Sequence, residues 1–299
     1  MSRIQQILDK AEREGAVRRL HTEAPLADVP VGAPPPVATP FSNPAFSTPF
    51  TAPLASPPAG HAPEGRVARA ATTASPVAAP SLTPARLVSG ARLDPRLITS
   101  VSTDTVATEQ YRALRTRIAH ADPTLPVNVV LITSPGRGEG RTLTAGNLAL
   151  SMAQEWQRRI CLVDADLRHP QLHRMFGLPD GPGLCDVLTG QATLEEALVT
   201  LEEHQLTLLP AGHGPAHAAE LLGTGSMRRV IETLRGQFDR IVVDAAPAAP
   251  LADVSIVAPL VDRVLLVVRA GVTTKPSIHE AIASIGGGKL LGLVLNEAD

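Results

Sequence analysis

The sequence predicts an α/β fold, a mostly parallel β-sheet with helices on both faces, preceded by a disordered proline-rich segment. Three observations carry that reading. Apolar, β-branched runs alternate with helical patterns from residue 127 to residue 295. The first run, VNVVLI, opens directly into a glycine-rich turn and then a helical pattern. Two later runs end in aspartates. Strands of a parallel sheet are covered on both faces, so they read as unbroken apolar stretches rather than as an alternation.

Taken in order, residues 1–22 predict a short amphipathic helix, with Ile4, Ile7, Leu8 and Ala11 on one face. A helix of this length is marginal alone in water, so it is expected to dock on something. Residues 23–96 hold more than half of the chain's 28 prolines, mixed with Ala, Ser, Thr and Gly. Such a composition has no apolar period and buries too little surface to offset chain entropy, which predicts a disordered, extended linker. The folded domain is expected over residues 97–299. It opens with a helix at 106–119, capped by Asp104, in which Glu109, Arg112 and Arg115 stand three apart and share a face. A strand at 127–132 and a helix at 142–157 follow. Next come a strand at 159–166, a helix at 193–201, a strand at 206–209 and a helix at 227–238. A strand at 240–244, a helix at 254–260, a strand at 263–268, a helix at 277–285 and a strand at 290–295 complete the domain.

Composition excludes several classes. With a net charge of −2, no basic field points to nucleic acid or anionic lipid. Aromatics at 2% leave no platform on which single-stranded bases could stack. The two cysteines, Cys161 and Cys185, fit neither a disulfide framework nor a zinc spacing. His169 and His173 stand four apart, but no further ligand completes a metal site. The charged start, MSRIQQILDKAEREG, is no secretory signal, and no apolar run approaches the ~18 residues of a membrane span. The expectation is a cytoplasmic protein without a membrane span, recruited to a membrane by a partner if it works there.

Ligands of such sheets bind at the carboxyl ends of the strands. Gly136, Gly138 and Gly140 lie at one such end, and glycines let backbone N–H groups approach phosphate oxygens while a helix N-terminus adds partial positive charge. A phosphate loop normally continues with Lys and then Ser or Thr. Here Arg141 takes the lysine position, Thr142 is in place, and Pro135 replaces the first glycine. Asp164 and Asp166 close one strand and Asp244 another. A hydroxyl with two or three carboxylates suits magnesium, which takes hard oxygen ligands together with phosphates and waters.

At this point a resemblance becomes specific. TSPGRGEGRT (133–142), ICLVDADLRHP (160–170) and FDRIVVDAAP (238–247) are similar to the Walker A, Walker A′ and Walker B motifs of bacterial tyrosine kinases. These are P-loop enzymes of exopolysaccharide and capsule export, and the soluble branch associated with exosortase systems shares the charged start and proline-rich linker. The resemblance implies ATP and Mg2+ as cofactors. It places Gly136, Gly138, Glu139, Gly140, Arg141, Thr142 and Leu143 around the phosphates, Thr142, Asp164 and Asp244 on magnesium or its waters, and Asn296 at the adenine edge. Asp166 becomes the base that orients and deprotonates a tyrosine hydroxyl, with Arg141 and Asp164 completing the catalytic group. The segment EQYRALR, containing Glu109, Arg112 and Arg115, is similar to the helix through which family members form rings. An inner-membrane polysaccharide chain-length or export protein is the implied activator.

Two departures shape the functional expectation. Arg141 keeps the charge of the usual lysine, but its wide, forked guanidinium differs from a compact ammonium. The only tyrosine is Tyr111, so the family's C-terminal tyrosine cluster is missing. The chain is therefore expected either to phosphorylate another protein or to act as a nucleotide-responsive regulator derived from a kinase. A partition or positioning ATPase is the weaker alternative, because the additional lysine of that class would stand at Gly136.

Overall fold

The computed structural model describes residues 83–297, apart from 85, 102–104, 122–126, 156, 215–216 and 287. The expected helix at 1–22 and the linker up to residue 82 lie outside the described residues. Strands β1 (Arg86–Val88), β2 (Val129–Thr133), β3 (Ile160–Ala165), β4 (Val199–Leu201), β5 (Leu206–Leu209), β6 (Arg240–Ala245), β7 (Arg263–Arg269) and β8 (Leu290–Asn296) form one sheet. Their order is β1-β4-β5-β3-β6-β2-β7-β8. Neighbours run parallel, except that β4 pairs antiparallel with β5.

The helices are α1 (Ile98–Val101), α2 (Val106–Ala119), α3 (Arg141–Ala153), α4 (Leu172–Met175), α5 (Leu184–Leu188) and α6 (Leu194–Ala197), followed by α7 (Ala218–Leu222), α8 (Gly225–Gln237), α9 (Asp253–Val257) and α10 (Lys275–Ile285). All residues of β2 and β3 are buried, as continuous apolar runs in the middle of a covered sheet should be. Helix α8 buries Met227, Val230, Ile231 and Leu234 along one stripe, the spacing of a helix with one face on the core. Helix α3 is buried on nearly every side. Its small residues make that possible: a Cβ on Gly146 would come within 2.8 Å of Leu97 Cδ2.

Three expectations need correction. The folded unit starts before residue 97, because β1 pairs in parallel with β4 and Asp94 donates its N–H to the Met175 carbonyl at 2.7 Å. The cap of α2 is Thr105, whose hydroxyl accepts the Thr108 N–H at 3.2 Å, while Asp104 is outside the described residues. The stretch at 193–201 is not one helix. Thr193 and Glu196 form a capping box for the single turn of α6, Leu198 is extended, and Val199 to Leu201 pair with β5. β-branched Val199 and Thr200 fit a pleated strand, here paired on both sides, better than a second helical turn.

Candidate active site

Sheet register assembles the site. Asp164 on β3 stands opposite Asp244 on β6, and Asp244 stands opposite Ile132 on β2. The loop that follows β2 is therefore adjacent to both carboxylates at the carboxyl end of the sheet. Gly138 and Gly140 turn that loop with φ of 76° and 89°, values that a side chain disfavours. Thr144 donates to the Gly140 carbonyl at 2.8 Å, the first bond of the α3 ladder. The N–H groups of Arg141, Thr142 and Leu143 precede that bond, as the first-turn donors of any helix do, and they are available to an anion.

Three aspartates and one arginine fill the space between the loop and the strand ends. Asp164, Asp166 and Asp244 are each 2% exposed or less. Arg141 donates through Nη2 to Asp166 Oδ2, and its Nε lies 3.9 Å from Asp244 Oδ1. The other Asp166 oxygen accepts the His169 N–H at 3.0 Å. Asp164 accepts the N–H groups of Asp166 and Leu172, both at 3.2 Å. Burial pushes the Asp164 carboxyl well above the usual range, with Asp244 and Asp166 adding repulsion. Burial likewise pushes Asp244 up, to about 7, although Arg141 and a hydrogen bond from Thr142 hold it down in part.

Does this arrangement fit a magnesium nucleotide? Three buried carboxylates face one guanidinium, and Asp244 Oδ1 and Arg141 Nε have no hydrogen-bond partner. A deficit of positive charge with an orphaned acceptor is what a divalent cation would correct. Among the described residues no acidic trio forms a ready cation cage. Phosphate oxygens would have to complete the shell, which is the usual condition for magnesium. The residues fit the group.

The remaining expected residues divide clearly. Gly136 and Glu139 line a cavity of about 320 Å³ beside the loop, together with Pro135, Pro250, Thr273 and Ser277. Glu139 is buried, and its Oε1 accepts the Thr273 hydroxyl at 2.9 Å. The Leu143 side chain packs on the core. Asn296, at the end of β8, donates from Nδ2 to the Glu139 carbonyl at 3.1 Å, which ties the last strand to the glycine loop. Glu109 pairs with Arg112 on the surface of α2, whereas Arg115 turns inward to the Ser151 carbonyl and to Glu155 at 3.1 Å.

Sequence reasoning missed one support of the site. Arg168, quoted within the second motif without a role, donates to both oxygens of buried Asp253 at 2.8 and 3.1 Å. That pair fixes the segment after Asp166 onto α9. Nothing in the spacing of Asp253 announces it.

No family model matches the chain. Curated relatives do. Tyrosine-protein kinase YwqD of Bacillus subtilis is 34% identical over 210 residues, covering 69% of this chain and 88% of that protein. Succinoglycan biosynthesis transport protein ExoP of Rhizobium meliloti is 35% identical over 176 residues, which is 57% of this chain and 22% of that longer protein. Among solved structures, the kinase domain of the Escherichia coli tyrosine kinase ETK aligns with a TM-score of 0.64 at 26% identity, covering 67% of this chain and 79% of that one. With a relative 34% identical over 88% of its length and this likeness of fold, the chain belongs to the family of bacterial tyrosine-protein kinases.

Proposed function

We propose that the folded domain binds ATP with magnesium and transfers the γ-phosphate to a protein tyrosine, in the regulation of exopolysaccharide synthesis and export. The observation that carries this reading is the set of Asp164, Asp166 and Asp244 buried at the mouth of the glycine loop with, among the described residues, a single basic partner, Arg141. The first-turn N–H groups of α3 and the Arg141 guanidinium bind phosphate oxygens. Thr142, Asp164 and Asp244 would hold the cation. When bound, the magnesium nucleotide supplies the phosphoryl group and the charge that steadies its transfer. Asp166 takes the proton of the acceptor hydroxyl, and the Asn296 amide oxygen is the group assigned to the adenine edge.

Tyr111 is a poor acceptor. Burial raises its pKa, and its hydroxyl is hydrogen-bonded to Thr144 and Asn147. The acceptor tyrosine therefore lies outside these 299 residues. The chain's partners would be further copies of itself, joined at the α2 face, and an inner-membrane polysaccharide export protein that recruits it from the cytoplasm. No helix among the described residues is long and apolar enough to cross a membrane.

A second reading keeps the nucleotide and reduces the chemistry: a kinase-derived regulator whose transferase activity is weak. Arg141 favours it, since the guanidinium is committed to Asp166 rather than held over the loop. Transfer of label from ATP to a tyrosine-containing polymer tests both. Activity lost in Asp166→Asn supports the enzyme; nucleotide binding without transfer supports the regulator.

A further inference from the structure

One cation in this site faces two sets of claimants. Arg141 is the first residue of α3, so its backbone belongs to the phosphate cradle while its side chain reaches across to the strand ends. Its side chain is 10% exposed and that of Asp166 2%, so water screens the pair little. Both oxygens of Asp166 are engaged, one by Arg141 and one by the His169 N–H. The grip on the second carboxylate is incomplete: at 3.9 Å, Arg141 Nε and Asp244 Oδ1 face each other without a hydrogen bond. A guanidinium held by one strong arm, with Nε left over, is held in a way that a polyphosphate could compete with.

We propose that Arg141 is an internal counter-ion that locks Asp166, and that a nucleotide's phosphates must draw it off before the carboxylate is free to accept a proton. This rests on the nucleotide reading given above and adds a regulation to it. In the locked state the Asp166 Oδ2 that would meet an acceptor hydroxyl is occupied by a fixed donor. Withdrawing Arg141 leaves three buried carboxylates without the one close cation they have among the described residues, so a polyphosphate lacking a divalent cation meets the strongest resistance. Asp166 thus reports nucleotide arrival through Arg141, as a positioning pair, before any chemistry begins.

The test is a binding cycle rather than an activity assay. Affinity for ATP in EDTA is measured by calorimetry on the full chain, for the native protein, Asp166→Asn, Arg141→Gln and the double variant, with circular dichroism as the check on folding. The lock requires Asp166→Asn to tighten ATP by about tenfold in the native background, the scale of a released charge-assisted bond, and by less than about twofold when Arg141 is already Gln. Equal tightening in both backgrounds would show simple relief of charge repulsion and overturns the lock alone. Unchanged affinity in Asp166→Asn also overturns it. Folded proteins that bind no ATP, with or without magnesium, overturn the nucleotide reading and the lock with it. If Arg141→Gln does not fold, Arg141→Met takes its place in the cycle.

Discussion

The side-chain amide of Asn296 hydrogen-bonds the carbonyl of Glu139, and the same amide lies where a Cβ on Gly140 would be. Strand β8 and the tightest point of the glycine loop are thus in van der Waals contact. Asn296→Ala should leave the fold intact and weaken ATP–Mg binding several-fold, because the loop loses its tether. Gly140→Ala should do worse: its φ of 89° costs an L-residue about 1–2 kcal/mol before the collision is counted. Thermal-shift titrations with ATP–Mg would show both. A Gly140→Ala protein that binds nucleotide as the native chain does would mean that the loop is not the cradle.

Arg141→Lys should raise turnover while leaving nucleotide affinity nearly unchanged. Lysine keeps the charge for phosphate and can still answer Asp166, but it lacks the second arm that faces Asp244. An interaction that matters more in the transition state than in the ground state appears in kcat rather than in binding. Steady-state transfer rates set beside dissociation constants would separate the two. Turnover that falls in Arg141→Lys would identify the arginine as an adapted catalytic group.

Stability should depend on pH in an unusual direction. Asp164 and Asp244 carry folded-state pKa values above their unfolded ones, and Asp244 reaches about 7. A carboxyl raised in this way keeps its proton longer in the folded chain, so stability falls as pH rises from about 4 toward 7, by at most about 1.4 kcal/mol per pH unit for each group. His173, lowered by burial, acts in the opposite sense near its own range. Comparison with Asp244→Asn removes that background. Urea unfolding of the nucleotide-free protein between pH 5 and 8 should show the native chain losing ground to the variant. Parallel curves would mean that Asp244 is ionised throughout.

The motif on α2 should split into two functions. Arg112, paired with exposed Glu109, lies on the outer face, while Arg115 is bound to the end of α3 and to Glu155. Arg112→Glu should lower the oligomer mass seen by light scattering without changing the melting temperature. Arg115→Glu should lower the melting temperature by several degrees, because it places a carboxylate against the Ser151 carbonyl and Glu155. A monomeric native protein at every concentration would leave the face without a partner.

Much of this architecture was legible in the residues. Continuous apolar runs marked β2, β3, β6 and β7 because central parallel strands have no polar face to betray a period. The loop and its aspartates were legible for a different reason: glycines at alternate positions before a helix, and aspartates that close apolar runs, are patterns of residue type at short spacing. The β1–β4 side of the sheet was not. Arg86 to Val88 follow a proline-rich stretch and become a strand only by pairing with Val199 to Leu201, more than a hundred positions away. Those partners read as helix because the Ala- and Leu-rich pattern that starts at Thr193 outweighs two β-branched residues, Val199 and Thr200. The inward turn of Arg115, the Arg168–Asp253 pair and the hold of Asn296 on Glu139 are likewise contacts between distant segments, which residue spacing does not encode.

The rung that places Asp164 beside Asp244 has a consequence for how this chain can change over time. Two buried carboxyls in register are an unfavourable pairing in the middle of a sheet, and an amide in place of Asp244 would relieve it in the empty protein. Selection for robustness alone would therefore erase the rung first. Where the rung persists in a descendant of this sequence, something other than robustness is maintaining it; where Asn has replaced Asp244, the sheet will be the better sheet and the proposed nucleotide site will have lost a carboxylate.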